Sequence, residues 1–375
     1  MRVLHINCNY MTTVLHQTMV EHLNKTGVES RVFAPVYDAS LAVIQPRDYV
    51  TVAACFNKWD RVHFGYKQNK IRSALEKSFD VKAFDVLHAY TLFTDGNCAM
   101  KLSEKYGVPY VVAVRSTDVN AFFRYRPWLR SRGVEIMEKA SAVFFLSERY
   151  LELTLNNYVP ERKREALRQK CSVVPNGIDD FWLNNPPAPK SGEALASLNA
   201  KRVNLIVAGR VNRNKNQVTA MKAAQRLCEL GYDARLHVVG NVESESVLQE
   251  LQTSPIVTCT PAQPKEKLIE LFRESDIFVM PSYEETFGLV YAEAMSQGLP
   301  VVYTRGQGFD GQFKEGVAGF SVSPDSPEEI AEKIIALIGN YEQVSSRVPE
   351  LAKQFNWDDI AAGYAVIYNR IHRKG

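Results

Sequence analysis

The sequence predicts an α/β chain built as two Rossmann-like, doubly wound parallel-sheet domains. Three observations predict it. Short β-branched runs alternate with helical patterns through the N-terminal half, a proline-rich segment interrupts the alternation at residues 184–192, and the alternation then restarts. A length of 375 residues agrees with two or three domains at roughly 150 residues each. Apolar residues make up 46% and charged residues 23%, which excludes a disordered chain, a collagen-like repeat and a small disulfide scaffold.

The elements follow in order. RVLHIN (2–7) reads as a buried strand, followed by a helix over Val14–Lys25 that stops at Gly27 and a second strand in SRVFAP. DVLHAY (85–90), the helical GNCAMKLSEKYG and PYVVAVR (109–115) make a strand–helix–strand unit, and SAVFFLS (141–147) and CSVVPNG (171–177) are further strands. NNPPAPKSG reads as a semi-stiff exposed linker. Beyond it VNLIVAG (203–209), ARLHVVG (234–240), DIFVMPS (276–282) and PVVYT (300–304) read as strands, with helices between them and over 327–340 and 357–373. The domains are therefore expected at 1–180 and 200–355, with a linker at 181–199 and a closing helix at 356–375. In such a pair the default ligand site is the cleft between the domains, at the carboxyl ends of the strands.

The total charge of +3 demands no nucleic acid. Its distribution is uneven: residues 1–180 carry 25 Lys/Arg and 19 Asp/Glu, the remainder 20 and 23. The opening residues lack the apolar run of a signal peptide, and no stretch approaches ~18 consecutive apolar residues, so a cytoplasmic protein is expected. Six scattered cysteines without a CxxC pair read as reduced, mostly buried small hydrophobes rather than metal ligands.

Two stretches carry chemistry. In PSYEETFGLVYAEAMSQGLPVV (281–302) a buried strand ends at Ser282, an acidic loop follows, and Phe287-Gly288-Leu289 opens a helix that carries Glu293. Gly288 permits close backbone approach, and a helix N-terminus offers amides to an anion such as phosphate. Glu285 and Glu293, separated by seven residues, can point into one cleft or be a solvated loop acid and a helix-dipole acid. In AGRVNRNKN (208–216), Arg210 and Lys215 can converge on a pyrophosphate, supplying fixed cations to a doubly charged leaving group. The alternative is a solvated basic turn, and Arg213 is expected to be solvated.

With GR-x4-K (Gly209, Arg210, Lys215), Glu285-x7-Glu293, VVPNGID (173–179) and DVLHAY in this order, the sequence resembles the retaining, nucleotide-sugar-dependent glycosyltransferases of family 4, over most of its length. The resemblance implies the GT-B fold, with the domains facing a central cleft and the last helix crossing back to the first domain. It implies that Arg210 and Lys215 bind the diphosphate and that Glu285 holds hydroxyls of the donor sugar. The amides of Thr286, Phe287, Gly288 and Leu289 would cradle sugar and phosphate, with Glu293 on the ribose. Gly209, Gly240, Cys259 and Thr260 would line the nucleotide site. No metal or cofactor is implied, the donor being a UDP- or GDP-hexose type co-substrate. The acceptor would be a saccharide or lipid-linked, in surface polysaccharide biosynthesis. A GT-B epimerase or phosphorylase and a non-catalytic nucleotide-sugar binder remain as alternatives. A dinucleotide oxidoreductase is disfavoured, since neither domain opens with GxGxxG.

The sequence departs from the family in two places. CNYMTTVLH (8–16) has no glycine where the family has a Gly-rich loop, and Arg115 stands where a histidine is common, with Asp118 three residues on. A guanidinium stays protonated and cannot act as a base; Arg115 can hold phosphate or sugar, or pair with Asp118 at a strand end. His88 fits the family's first histidine, or is a satisfied strand-end histidine. AFFRYRPWLRSRG (121–133) interleaves aromatics with arginines and ERKREALRQK (161–170) adds cations. Such surfaces can rest on anionic lipid, giving peripheral contact at the inner membrane face, can grip RNA, or can be solvated helix faces with aromatics packed inward. No RNA-binding motif accompanies them, so nucleic acid is not expected. FNKWDRVHFGYKQNK (56–70) lies where acceptor-binding loops are expected.

Overall fold

The computed structural model describes residues 1–38, 40, 42–57, 59–61, 64–190 and 192–373. The chain divides into two compact units: Met1–Pro175 with the chain from Trp357 onward, and Asn176–Asn356.

In the first unit the elements are β1 (Arg2–Ile6), α1 (Val14–Lys25), β2 (Glu29–Val36), β3 (Val50–Ala54), α2 (Phe64–Ser78), β4 (Val86–Ala89), α3 (Thr94–Tyr106), β5 (Tyr110–Val114), α4 (Arg130–Lys139), β6 (Ala142–Phe145), α5 (Glu148–Tyr158), α6 (Glu161–Arg168) and β7 (Cys171–Val173). Among the described residues the strands form one parallel sheet in the order β3-β2-β1-β4-β5-β6-β7. Both faces are covered, which is why these strands read as continuous apolar runs. Strand alternation divides the core. Leu4, Ile6, Leu87, Ala89 and Val112 meet Ile71, Met100 and Ile136 on one face. Val3, Val86, Tyr90, Val111 and Phe144 meet Met19, Leu23, Tyr364 and Tyr368 on the other.

The second unit holds α7 (Asp180–Asn184), α8 (Gly192–Asn199), β8 (Arg202–Ala208), α9 (Gln217–Glu229), β9 (Asp233–Val239), α10 (Glu245–Gln252), β10 (Val257–Thr260), α11 (Lys265–Glu274), β11 (Ile277–Met280), α12 (Leu289–Ser296), β12 (Val301–Thr304), β13 (Gly319–Val322), α13 (Pro327–Gly339) and α14 (Tyr341–Ala352). Its parallel sheet runs β10-β9-β8-β11-β12-β13 among the described residues. The strand order reverses between β8 and β11, so their carboxyl ends flank the crevice where a doubly wound sheet binds ligands. The closing helix α15 (Trp357–His372) belongs to the first unit, where it packs on α1 and sets Asp358 Oδ1 2.6 Å from His22 Nδ1.

Two expectations need correction. The proline-rich segment is not a detached linker: Lys190 donates to the carbonyls of Arg273 and Ser275, and Arg273 donates to the carbonyl of Asn185. These bonds fasten it to the second unit, and the chain passes between the units at Pro175–Asn176, inside VVPNGID. The cysteines are mostly half-buried, with Cys98 alone fully buried. Strands β3, β10 and β13 and helices α2, α5, α7, α8, α10 and α14, the last with Pro349 within it, are not in the sequence reading, which expects loops where α2 begins.

Candidate active site

The loops after β8 and β11 are sewn together by asparagines. Asn214 pairs with Glu284 twice, its amide donating to the Glu284 carbonyl at 2.9 Å and its oxygen accepting from the Glu284 N–H at 3.0 Å, while its own carbonyl accepts from Tyr283 at 2.9 Å. Asn216, in the left-handed region at φ +56° where asparagine is tolerated, donates to the carbonyls of Pro281 and Pro324 at 3.0 and 2.7 Å. This stitching brings Lys215 Nζ to 2.6 Å from Glu285 Oε2, with the two side chains only 17% and 12% exposed. A partly desolvated pair of this kind is held in one geometry, and its electrostatics are stronger than at the surface.

Glu285 is fixed from the far side by the loop after β12. Its N–H donates to Gln307 Oε1 at 2.9 Å and its carbonyl accepts from Gly308 at 2.9 Å. A Cβ on Gly308 would stand 1.8 Å from the Thr286 carbonyl oxygen, so the approach requires glycine. Gly288, at φ +75°, precedes α12, and Phe287 is buried against Phe309 and Phe355, leaving its backbone rather than its ring for a ligand.

Glu293 lies half-buried on α12. Burial, then the charge of Asp179, pushes its carboxyl up to about 7, against Lys265 and a hydrogen bond from the Trp182 indole. Lys265 is itself paired with Asp179. Arg210 points elsewhere: it is 67% exposed and its Nη1 lies 2.7 Å from Glu243 Oε1, so the expected convergence of Arg210 with Lys215 is replaced by two separate ion pairs. Arg213 is exposed. Gly209, Gly240 and Thr260 stand side by side on the sheet ends, the Gly209 N–H donating to the Val239 carbonyl and the Gly240 N–H to the Thr260 carbonyl at 3.0 Å. Thr260 also carries His237 Nε2 at 2.8 Å from its hydroxyl. Cys259 is half-buried and its thiol is pushed up by burial.

In the first unit a cavity of about 450 Å³ opens at the carboxyl ends of β1, β2, β4 and β5, lined by Asn9, Val36, Phe64, Lys67, Asp118 and Arg126 among others. Asp118 accepts from the N–H groups of Leu92, Phe93 and Arg115 at 2.9, 3.2 and 2.9 Å and so clamps the loops after β4 and β5 together. Burial pushes its carboxyl up to about 6. The Arg115 guanidinium does not pair with it but donates to the Tyr90 carbonyl at 3.2 Å.

His88 is corrected from a candidate catalytic group to a core histidine. Strand alternation turns it to the α15 face, where it is 0% exposed, stacked on Tyr90 at 4.4 Å, with Nδ1 2.5 Å from the Tyr368 hydroxyl. Burial holds its pKa well below the usual range, so it stays neutral. Where the family has glycines, Tyr10 and Met11 plug into the core instead.

Sequence reading missed Asn214, Asn216, Gln307, Gly308, Trp182, Lys265 and, in the first unit, Asp95. Asp95 is fully buried, bonded to the Cys8 N–H and the Thr91 hydroxyl, and pushed up to about 7 by burial. The alternating asparagines of NRNKN and the glycines of RGQG were the available signals.

With this geometry in hand, the comparisons decide the family. Residues 13–180 match the family model Glycosyltransferase Family 4, and residues 195–355 match Glycosyl transferases group 1. The chain is a family 4 glycosyltransferase. Among similar proteins, this glycosyltransferase is 25% identical over 300 residues to a D-inositol 3-phosphate glycosyltransferase of Paenarthrobacter aurescens, covering 74% of this chain and 71% of the relative. It superimposes on sucrose-phosphate synthase from Thermosynechococcus elongatus with a TM-score of 0.76 at 18% identity, covering all of both chains. Anabaena HepE in complex with UDP gives a TM-score of 0.73 at 16% identity, over 98% of this chain and 99% of that one. These likenesses establish a GT-B fold of two Rossmann-like units for this glycosyltransferase. No helix among the described residues is long and apolar enough to cross a membrane.

Proposed function

We propose that this glycosyltransferase transfers a hexose-type sugar from a nucleoside diphosphate to a saccharide or lipid-linked acceptor, with retention and without a metal ion. The partly buried Lys215–Glu285 pair at the strand-order reversal carries the reading. Lys215 stabilises the charge that grows on the departing diphosphate, acting where the transition state differs from the ground state. Arg210, being exposed, can swing from Glu243 to the same phosphates. Glu285 accepts hydrogen bonds from donor-sugar hydroxyls, and Glu293 accepts from the ribose. In the transfer the bond from the anomeric carbon to the phosphate oxygen breaks, a bond to the acceptor oxygen forms on the same face, and the acceptor proton passes to the departing phosphate. Asp118 is a positioning residue in this scheme, since its carboxylate is occupied by three backbone N–H groups. The complexes with UDP, UDP-glucose and ADP among the fold neighbours support a nucleotide donor without naming the base.

The test is transfer from UDP- and GDP-hexoses to acceptor panels in chelator, with the product's anomeric configuration read by NMR. Lys215→Ala and Glu285→Gln are expected to lower kcat/KM by about 10²-fold or more. Full activity in both variants overturns the residue assignment. Inverted product, loss of activity in chelator, release of epimerised sugar or dependence on inorganic phosphate each overturns the reaction assignment.

A further inference from the structure

The mouth of the first unit's cavity exposes aromatic side chains that a water-facing surface has no use for. Segments 56–70 and 121–133 together carry eight Lys/Arg and one Asp, against a total of +3 for the whole chain. The fold brings described residues of both segments to one rim: Phe64 meets Phe122 with ring centroids 6.5 Å apart, and Phe56, Phe64, Lys67, Phe122 and Arg126 all line the cavity. Residues 58, 62 and 63 of the first segment lie outside the described residues.

In these segments Trp59 is 83% exposed, Trp128 71%, Tyr125 66% and Tyr66 58%, with Tyr66 and Tyr125 next in the chain to the cavity-lining Lys67 and Arg126. Phe122 and Phe123, by contrast, pack inward, stacking on Phe93 and Tyr158. The cations stand over the rings: Arg126 over Phe122 at 4.7 Å, Arg124 over Tyr125 at 5.2 Å and Lys67 over Phe56 at 4.6 Å. The other basic segment is partly spent internally, with Lys163 on Glu138, Arg168 on Glu152 and Arg164 on the carbonyls of Asn156 and Val159, and the rim segments spend some of their own cations in the same way, Lys70 on Asp60, Arg132 on Glu135 and Arg130 on the Phe123 carbonyl.

Tryptophan and tyrosine with an apolar body and a polar tip sit at the headgroup level of a bilayer, and arginine and lysine reach from there to anionic headgroups. The exposed Val43, beside the cavity-lining Ala42, adds an aliphatic group that suits lipid and gives a nucleic acid nothing to bind. We infer that this rim docks on an anionic bilayer surface, which would present the cavity to an acceptor lying in the headgroup layer.

The chain is built to report on this. Two of its four tryptophans, Trp59 and Trp128, are the exposed ones of these segments, and the other two, Trp182 and Trp357, are each 2% exposed. The full chain, with no nucleotide sugar present, is mixed with phosphatidylcholine vesicles containing about a third phosphatidylglycerol or none. The expected result is co-sedimentation with the anionic vesicles only, weakened about tenfold or more by high salt, with a blue shift of tryptophan emission and quenching by brominated lipid. Trp59→Ser/Trp128→Ser should lose binding, shift and quenching while keeping the same Tm. Absence of vesicle binding, undiminished binding by the double variant, or binding of homopolymer RNA in place of vesicles overturns the inference. Because no donor is present, failure here leaves the transfer reaction untouched, and failure of transfer leaves the vesicle result standing.

Discussion

A carboxyl held near neutrality inside the proposed nucleotide site makes binding depend on pH. Glu293 is raised from 4.5 to about 7, chiefly by burial. Between those values the folded state binds a proton that the unfolded state has lost, so this group's contribution to stability falls as pH rises through that window and levels off above it. Donor binding should move the other way, because the ionised carboxylate is the better acceptor for ribose hydroxyls. Donor affinity is expected to rise about tenfold between about pH 6 and pH 8, and Glu293→Gln should flatten the profile. Calorimetric titration across that range checks it; an unchanged slope in the variant removes Glu293 from the ribose site. The spacing Glu285-x7-Glu293 was legible in the sequence, but its environment was not. Asp179, Lys265 and Trp182 reach Glu293 from α7, its N-cap and the first turn of α11, which lie far away in sequence.

Loop-to-loop contact governs the element scale. A methyl at residue 240 would stand 1.9 Å from the Gly209 carbonyl oxygen, with backbone rather than a flexible side chain in the way. Gly240→Ala is expected to cost about 1–3 kcal/mol of stability and to weaken donor binding by displacing the loop that carries Arg210. Gly363→Ala, in open space on the exposed face of α15, should instead stabilise by about 0.5–1 kcal/mol. Thermal melts with nucleotide titrations compare the two; equal effects would refute the crowding. Most strands and about half of the helices were readable from apolar runs and end signals. α1, for example, begins after Thr13, whose hydroxyl accepts from Leu15, and ends before Gly27 at φ +84°. What escaped were short elements with mixed burial, such as β3 and β10, whose residues are mostly half-buried and so lack a clean alternation.

At the scale of the whole molecule, the residues proposed to bind the donor collect in one unit and the cavity with its aromatic segments in the other. Amide hydrogen exchange with and without donor should therefore show new protection in 209–215, 240, 258–260, 285–293 and 305–310. At about 100 times its dissociation constant a donor slows exchange from the unfolded state by up to about 100-fold. Protection confined to the first unit's cavity would overturn the assignment of the donor site. Net charge is a poor guide at this scale: the acidic half holds Lys215 and Arg210, the cations proposed for the donor, and part of the basic half's charge is spent on neighbouring carboxylates.

The sequence by itself determined the two parallel sheets and the family, and it singled out Lys215, Glu285, Gly288 and Glu293 as candidates, because apolar periodicity and short loop motifs are local properties of the chain. Only the tertiary structure decided which of those groups meet. It paired Lys215 with Glu285 and sent Arg210 to Glu243, since Asn214, Asn216 and Gln307 arrive from loops up to about a hundred residues apart. It also turned His88 into the core, because the face a strand residue occupies is set by which helices cover the sheet, and no local pattern encodes that.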